Sequence, residues 1–334
     1  MATAGPQLLL VHGIGGIRDA EDERRDWQRS LAEGARAAEY ADHISALTGG
    51  WLADCRFADY SDLFARPGAQ GAGGAEGQLD DEAALVTLAM VFEYVDALDK
   101  SGPARADLQR IRAQARLYLE TRPEQRRAQG LMSPVRHAAA VCAALARVPG
   151  VRFGLQRASA ARCLSILSQP GRYLRRKERV TDEDGGVTTL DERIRHRVVR
   201  ELDPGRPAVV IGHSLGSVVA LEALAYYPGQ VELFVTIGAP IAMNALIWPR
   251  LRPQPPAVPA QVRRWLDVWD GDDPVVPLRR LCDVIAPNAS KVLPEPVPLS
   301  SRAVWTHSAL TYLRRPEVAG PVMDTLIRLR GAAS

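Results

Sequence analysis

The sequence predicts an α/β protein interrupted by a helical insertion. Residues 208–211 are apolar and lead into Gly212, His213, Ser214, Leu215 and Gly216, after which residues 218–224 are apolar at a spacing that suits a helix, giving strand, sharp turn, helix. Further apolar runs of strand length, at 7–11, 55–60, 231–237 and 265–269, alternate with helical patterns along the chain. Between the second and third of these runs the composition changes to PGAQGAGGAEGQ, and a long series of helix-spaced segments follows.

Taken in order, residues 7–11 form the first strand. They run into His12, Gly13, Ile14, Gly15 and Gly16, where three glycines in four residues let the backbone come close to a ligand. By itself this is a tight turn entering a helix, and it lacks the Gly-Lys-Ser/Thr or GxGxxG of a phosphate loop. Residues 26–40 carry Trp27, Leu31, Ala35 and Ala38 at helical spacing and predict the first helix on the sheet. The strand at 55–60 brings Asp59, Tyr60 and Asp62 near its carboxyl end, where turn formation is the plainer role and ligand contact the alternative. The linker at 66–78 opens an insertion. Leu85, Leu88, Phe92, Val95 and Leu98 predict an amphipathic helix over 81–100, and further helices are expected at 104–120, 135–147 and 155–168 before a turn at 182–186. Residues 66–187 thus read as a helical cap, and residues 1–65 and 188–334 as the core. A helix over 190–202 precedes the strand at 208–211. The strand at 231–237 leaves through Gly238, Ala239 and Pro240. Met243, Leu246, Ile247 and Trp248 either line an apolar pocket or pack in the core. Five prolines within 249–260 rule out a helix there. A mostly buried strand at 265–269 and a terminal helix over 318–329 complete the chain.

The 334 residues suffice for a sizeable core, and a net charge of +3 says little about partners. The distribution of charge says more. Residues 101–180 hold 17 Lys and Arg against four Asp and Glu, leaving 25 against 35 for the rest. Such a segment, with Arg172, Arg175, Arg176, Lys177 and Arg179 at its end, is expected to be a solvated face or to attract an anionic surface or substrate. Nucleic acid is the weaker expectation. Cys55, Cys142, Cys163 and Cys282 match no metal-ligand spacing and suit a reducing compartment. His137 and His196 lack ligand partners, so neither a metal nor another cofactor is expected. No apolar run reaches the length of a signal-peptide core or a spanning helix, so a cytoplasmic location is expected.

The stretch around Gly212-His213-Ser214-Leu215-Gly216 resembles the nucleophile elbow of the α/β-hydrolase fold, in its lipase and esterase branch. That fold implies a mostly parallel central sheet covered by helices, and the chain order oxyanion loop, serine, acid, histidine. His307 is the only histidine after Ser214, so the resemblance makes it the base. For the acid, Asp270, Asp272 and Asp273 crowd the exit of the strand at 265–269. Asp273 opens DPVVP, which looks like a lipase turn, and ranks first, ahead of Asp270 and Asp272. The His12-Gly13 segment is similar to a lipase oxyanion loop, which implies the amides of Ile14 and Leu215 as oxyanion donors, with Gly13 and Gly15 adjacent possibilities and His12 shaping the loop. Gly13, His213, Pro240 and Met243 are implied at the substrate. VHGIGG, GHSLGS and Asp-Pro-Val followed by His also resemble bacterial proteins labelled serine peptidases or hydrolases. The expectation is a serine hydrolase cleaving a small-molecule or lipid carboxylic ester through an acyl-serine. The alternatives are a peptidase, thioesterase or phospholipase with the same triad, and a catalytically silent binding protein on this fold.

Overall fold

A computed structural model describes residues 5–15, 19–64, 81–101, 106–148, 168–181, 185–243, 247–271, 273, 275–276, 280–300 and 307–333. The chain begins with β1 (Gln7–Val11), α1 (Ala20–Ala37), α2 (Ile44–Thr48) and β2 (Asp54–Ala58). Four helices follow, α3 (Asp81–Ser101), α4 (Ala106–Glu120), α5 (Pro123–Ala128) and α6 (Pro134–Ala146), then α7 (Gln169–Arg175) and an antiparallel pair, β3 (Arg179–Thr181) and β4 (Val187–Thr189). The second half runs through α8 (Leu190–Arg200), β5 (Ala208–His213), α9 (Leu215–Leu224), β6 (Val231–Ile237), β7 (Trp265–Asp270), β8 (Pro294–Leu299), α10 (Ala309–Leu313) and α11 (Pro316–Ala333). Six strands pair in parallel in the order β2-β1-β5-β6-β7-β8.

The alternation of side chains along β1 builds the layers on both faces of the sheet. Leu8 and Leu10 pack on one face with Trp27 and Leu31 of α1 and Val322 and Leu326 of α11. Leu9 and Val11 pack on the other with Tyr173 of α7, Ile194 and Val198 of α8 and Val218 of α9. Buried on both faces, the central strands read as continuous apolar runs, as parallel strands do. A separate cluster forms where Leu88 and Val95 of α3 meet Leu108 and Ile111 of α4 and Val141 and Leu145 of α6. Val86 of α3 belongs instead to the cluster on the sheet, so this helix joins the two.

Several expectations change. Helix α1 starts at Ala20 rather than 26, because the Asp19 carboxylate accepts from the amides of Glu21 and Asp22 and caps a polar first turn that carries no apolar period. It ends before Glu39, whose φ of 70° breaks the helix. Strand β8 escapes the sequence because Pro294, Pro296 and Pro298 fall within it. At alternate positions all three turn their missing N–H away from β7, and on an edge strand that costs no ladder hydrogen bond. The linker at 66–78, most of the helix expected at 155–168, Leu246, Asp272 and Cys163 lie outside the described residues. Cys55, Cys142 and Cys282 form no disulfide. No described helix is long and apolar enough to cross a membrane.

The arginines at the end of the basic segment are the main correction. Arg172 is 1% exposed, paired with Glu178, and donates from Nη1 to the Phe64 carbonyl at 2.8 Å. Arg175 also reaches Glu178, at 3.0 Å. Arg176 pairs with Asp191 at 2.9 Å and Glu222 at 2.5 Å, and Arg195 of α8 binds Asp191 at 2.6 Å. Glu222 is fully buried and further accepts from the Tyr173 hydroxyl at 2.6 Å and the Arg252 amide at 2.7 Å. Arg172 and Arg175 therefore fold back on Glu178, while Arg176 and Tyr173 tie α7 and the residue that ends it to α8 and α9. Only Lys177 and Arg179 of the five are exposed. Arg172, Arg175 and Arg176, with Arg195, set four cations against the three carboxylates of Glu178, Asp191 and Glu222, so most of this charge is balanced inside the protein.

Candidate active site

All strands of the large sheet run the same way, so the residues that follow them collect at one edge. Ser214 follows β5 directly and has φ 53° and ψ −128°, a conformation rare for an L-residue. The turn is held by the Ser214 amide on the Ile237 carbonyl at 3.1 Å and the Ser217 hydroxyl on the Gly212 carbonyl at 2.6 Å. It requires glycine at 216, because a Cβ there would lie 2.2 Å from the His12 carbonyl oxygen. Ser214 starts α9, so the amide of Leu215 is one of the helix-end donors without an intrahelical acceptor.

The Ser214 hydroxyl lies 3.0 Å from His307 Nε2, and His307 Nδ1 lies 2.8 Å from Asp273 Oδ2. With the proton on Nδ1, the ring donates to the carboxylate and accepts from the serine. Asp273 sits three residues beyond β7, fully shielded from solvent. Burial opposes its charge, but His307, the Val275 amide at 2.9 Å and the Tyr312 hydroxyl at 2.8 Å together hold its carboxyl below the usual range. Tyr312 of α10 in turn accepts from the Asp270 amide at 3.1 Å. Burial first, and then the adjacent Asp273, push its phenol well up, so it stays a donor. Gly238, at φ 56°, makes room for this group: a Cβ would stand 2.9 Å from Asp273 Oδ2 and 3.2 Å from His307 Nδ1. Of the three aspartates at the exit of β7, Asp273 meets the histidine. Asp270 is buried beside it and contributes backbone contacts to Tyr312 and Asp273, and Asp272 is outside the described residues.

A cavity opens at Ser214. The segment after β1 contributes Ile14, and the elbow contributes Leu215. Pro240, Met243 and Ile247 come from the segment after β6, Val275 from beyond β7, Met90 and Val91 from α3, and Pro170 from α7. Among the described residues its lining is polar only at Ser214 and His307. Ile14, Leu215, Pro240 and Met243 thus meet at one cavity, as the sequence suggests. Gly13 and His213 do not line it. Gly13 packs beneath Ser214, and His213 donates from Nε2 to the His307 carbonyl at 3.1 Å, with the two rings 4.9 Å apart. They support the site from behind rather than touching the cavity.

The segment after β1 is fixed from two sides. His12 is buried, stacks on Tyr60 with ring centroids 4.1 Å apart, and donates from Nδ1 to the Gly13 carbonyl at 2.6 Å. Its Nε2 lies 3.1 Å from Asp59, and the Tyr60 hydroxyl donates to the His12 carbonyl. Burial would raise the Asp59 carboxyl, yet His12 and the Ser61 amide lower it to about 2. These contacts give Asp59 and Tyr60 a structural role, and Asp62 pairs with Arg197. From the other side, the carboxamide of Gln169 accepts from the Gly15 amide at 3.0 Å and donates to the Gly15 carbonyl at 2.5 Å. Nothing in the sequence marks Gln169 or Tyr312, since each acts on a segment remote in the chain and belongs to no short motif. Met90 and Val91 carry only the ordinary signal of an amphipathic helix. No group of three potential metal ligands occurs among the described residues.

The family model described as the alpha/beta hydrolase family matches residues 146–329, more than half of the chain. No curated protein and no solved structure matches it.

Proposed function

Because the chain belongs to the alpha/beta hydrolase family, we propose that it hydrolyses carboxylic esters through an acyl-serine formed on Ser214. The observation that carries this reading is the relay from Ser214 through His307 to Asp273, at 3.0 and 2.8 Å, beside an apolar cavity. The Ser214 hydroxyl attacks the ester carbonyl while His307 Nε2 takes its proton, and the amides of Leu215 and Ile14 stabilise the tetrahedral oxyanion. Asp273 holds the imidazole in the required tautomer and balances its cation. Collapse breaks the bond to the alkoxy oxygen, which leaves as an alcohol with the proton from His307. Water then attacks the acyl-serine as His307 takes its proton. The second collapse releases the acid and returns that proton to Ser214. The apolar lining favours an ester over a peptide, because beyond Ser214 and His307 its described side chains offer no acceptor or donor for a second amide.

The test is labelling by a fluorophosphonate together with hydrolysis of nitrophenyl esters. Ser214→Ala should lose both. Asp273→Asn should cost about four orders of magnitude in kcat, and Asp270→Asn far less. Residual turnover of Ser214→Ala above a tenth of wild type would exclude the proposed nucleophile.

A further inference from the structure

The cavity is unusual in how it is shared. Part of its lining comes from the segments that follow the sheet strands, and part from Met90 and Val91 of α3, the helix that joins the two clusters. Among the described residues that line it, none is an acid, a lysine or an arginine. A carboxylate or ammonium group on the part of the substrate that enters would meet no opposite charge among these side chains, which weakens its binding by at least tenfold. A methylene chain gains about 0.8 kcal/mol for each CH₂ buried, roughly fourfold in affinity.

The two α3 residues differ in how they are held. Val91 is 1% exposed and also belongs to the cluster of α3, α4 and α6, so it is fixed by that packing. Met90 is only partly buried, on a flexible unbranched side chain that can yield to a ligand. Met243 and Ile247, which share the lining, are both buried.

We propose that the site takes a substrate with an uncharged aliphatic chain, and that Met90, backed by Val91, sets how long that chain can be. The proposal rests on Ser214 being the nucleophile, which places the reacting carbonyl at the mouth of this cavity. The chain belongs either to the acyl group or to the alcohol, and two ester series distinguish them.

Binding to the Ser214→Ala variant, measured by calorimetry, separates the fit of the chain from the chemistry. In one series the acyl chain of a methyl ester is lengthened from two to twelve carbons, and in the other the alcohol of an acetate. Affinity is expected to rise by roughly fourfold per methylene in one series and then level off. Adding Met90→Ala should move the break to longer chains, and Met90→Trp to shorter ones. A folding defect cannot produce opposite shifts. A hemisuccinate ester should bind at least tenfold more weakly than a neutral ester of equal length. The same break in all three proteins, no dependence on chain length in either series, or equal binding of the hemisuccinate would overturn the proposal. Failure of the nucleophile would appear differently. Wild-type protein would then neither react with a fluorophosphonate nor cleave the esters that Ser214→Ala binds, and the assignment of the cavity to a substrate would fall with it.

Discussion

Tyr312 reaches the same carboxylate oxygen as His307, so Asp273 Oδ2 is shared between a ring N–H and a phenol. The phenol helps to keep Asp273 ionised at a depth where burial would otherwise raise its carboxyl. Tyr312→Phe removes one hydrogen bond to a charged group, about 1.5–3 kcal/mol, without emptying the space the ring fills. The expected result is a fall in kcat of roughly tenfold. The acid limb of the kcat profile should also move to higher pH, because the Asp273 carboxyl then takes up a proton sooner. A purely structural tyrosine would lower activity evenly across pH. At this scale the sequence is most informative where one short motif constrains several atoms. The glycines around Ser214, the single histidine after it and the turn at Asp273 are legible because they are local. The contacts of Tyr312 and Gln169 are not, since each depends on bringing together segments that no spacing relates.

Helix α7 shows how an element can be misread from charge. Its arginines belong to the most basic stretch of the sequence, yet Arg172 and Arg176 reach inward to Glu178, Asp191 and Glu222. Composition counts charges but not their partners, and Asp191 and Glu222 lie outside the counted segment. The network predicts that Glu222→Ala destabilises the protein by about 3–5 kcal/mol in urea unfolding, because the Tyr173 hydroxyl and the Arg252 amide lose their buried acceptor and Arg176 and Arg195 are left to share Asp191. A loss below 1 kcal/mol would mean that solvent reaches the arginines. Elements with a clear apolar period, such as β1, β6 and α3, are legible nearly to their ends. Those whose period is masked by polar caps or prolines, the start of α1 and the whole of β8, are not.

For the molecule as a whole, the sheet buries an acid remote from the relay of Ser214, His307 and Asp273. Asp267 of β7 accepts from the Thr236 hydroxyl at 2.9 Å, and Trp265 Nε1 donates to that hydroxyl at 3.0 Å. Burial raises the Asp267 carboxyl to about 7, against only the Thr236 hydrogen bond. Its folded value is thus above the unfolded one, so the folded protein holds the proton more tightly. The contribution to stability is complete below about pH 4, falls by ~1.4 kcal/mol per pH unit towards pH 7, and is flat above. Asp267→Asn should remove that slope and gain on wild type at pH 8, as thermal unfolding across pH would show. Parallel slopes for the two proteins would mean that Asp267 is ionised throughout. The order of the strands has a further consequence, during synthesis. β1 lies between β2 and β5, with Gln7 beside Ala208, so its inner partner is made about 200 residues later. At ribosomal speeds of 5–20 residues per second that is a wait of roughly 10 to 40 s. Until then β1 can settle only on β2 and α1, one edge and one face, while its other edge and the face that packs on α8 and α9 stay open. Ser214, His307 and Asp273 all lie in the later half, so their relay forms only after that half has closed on β1.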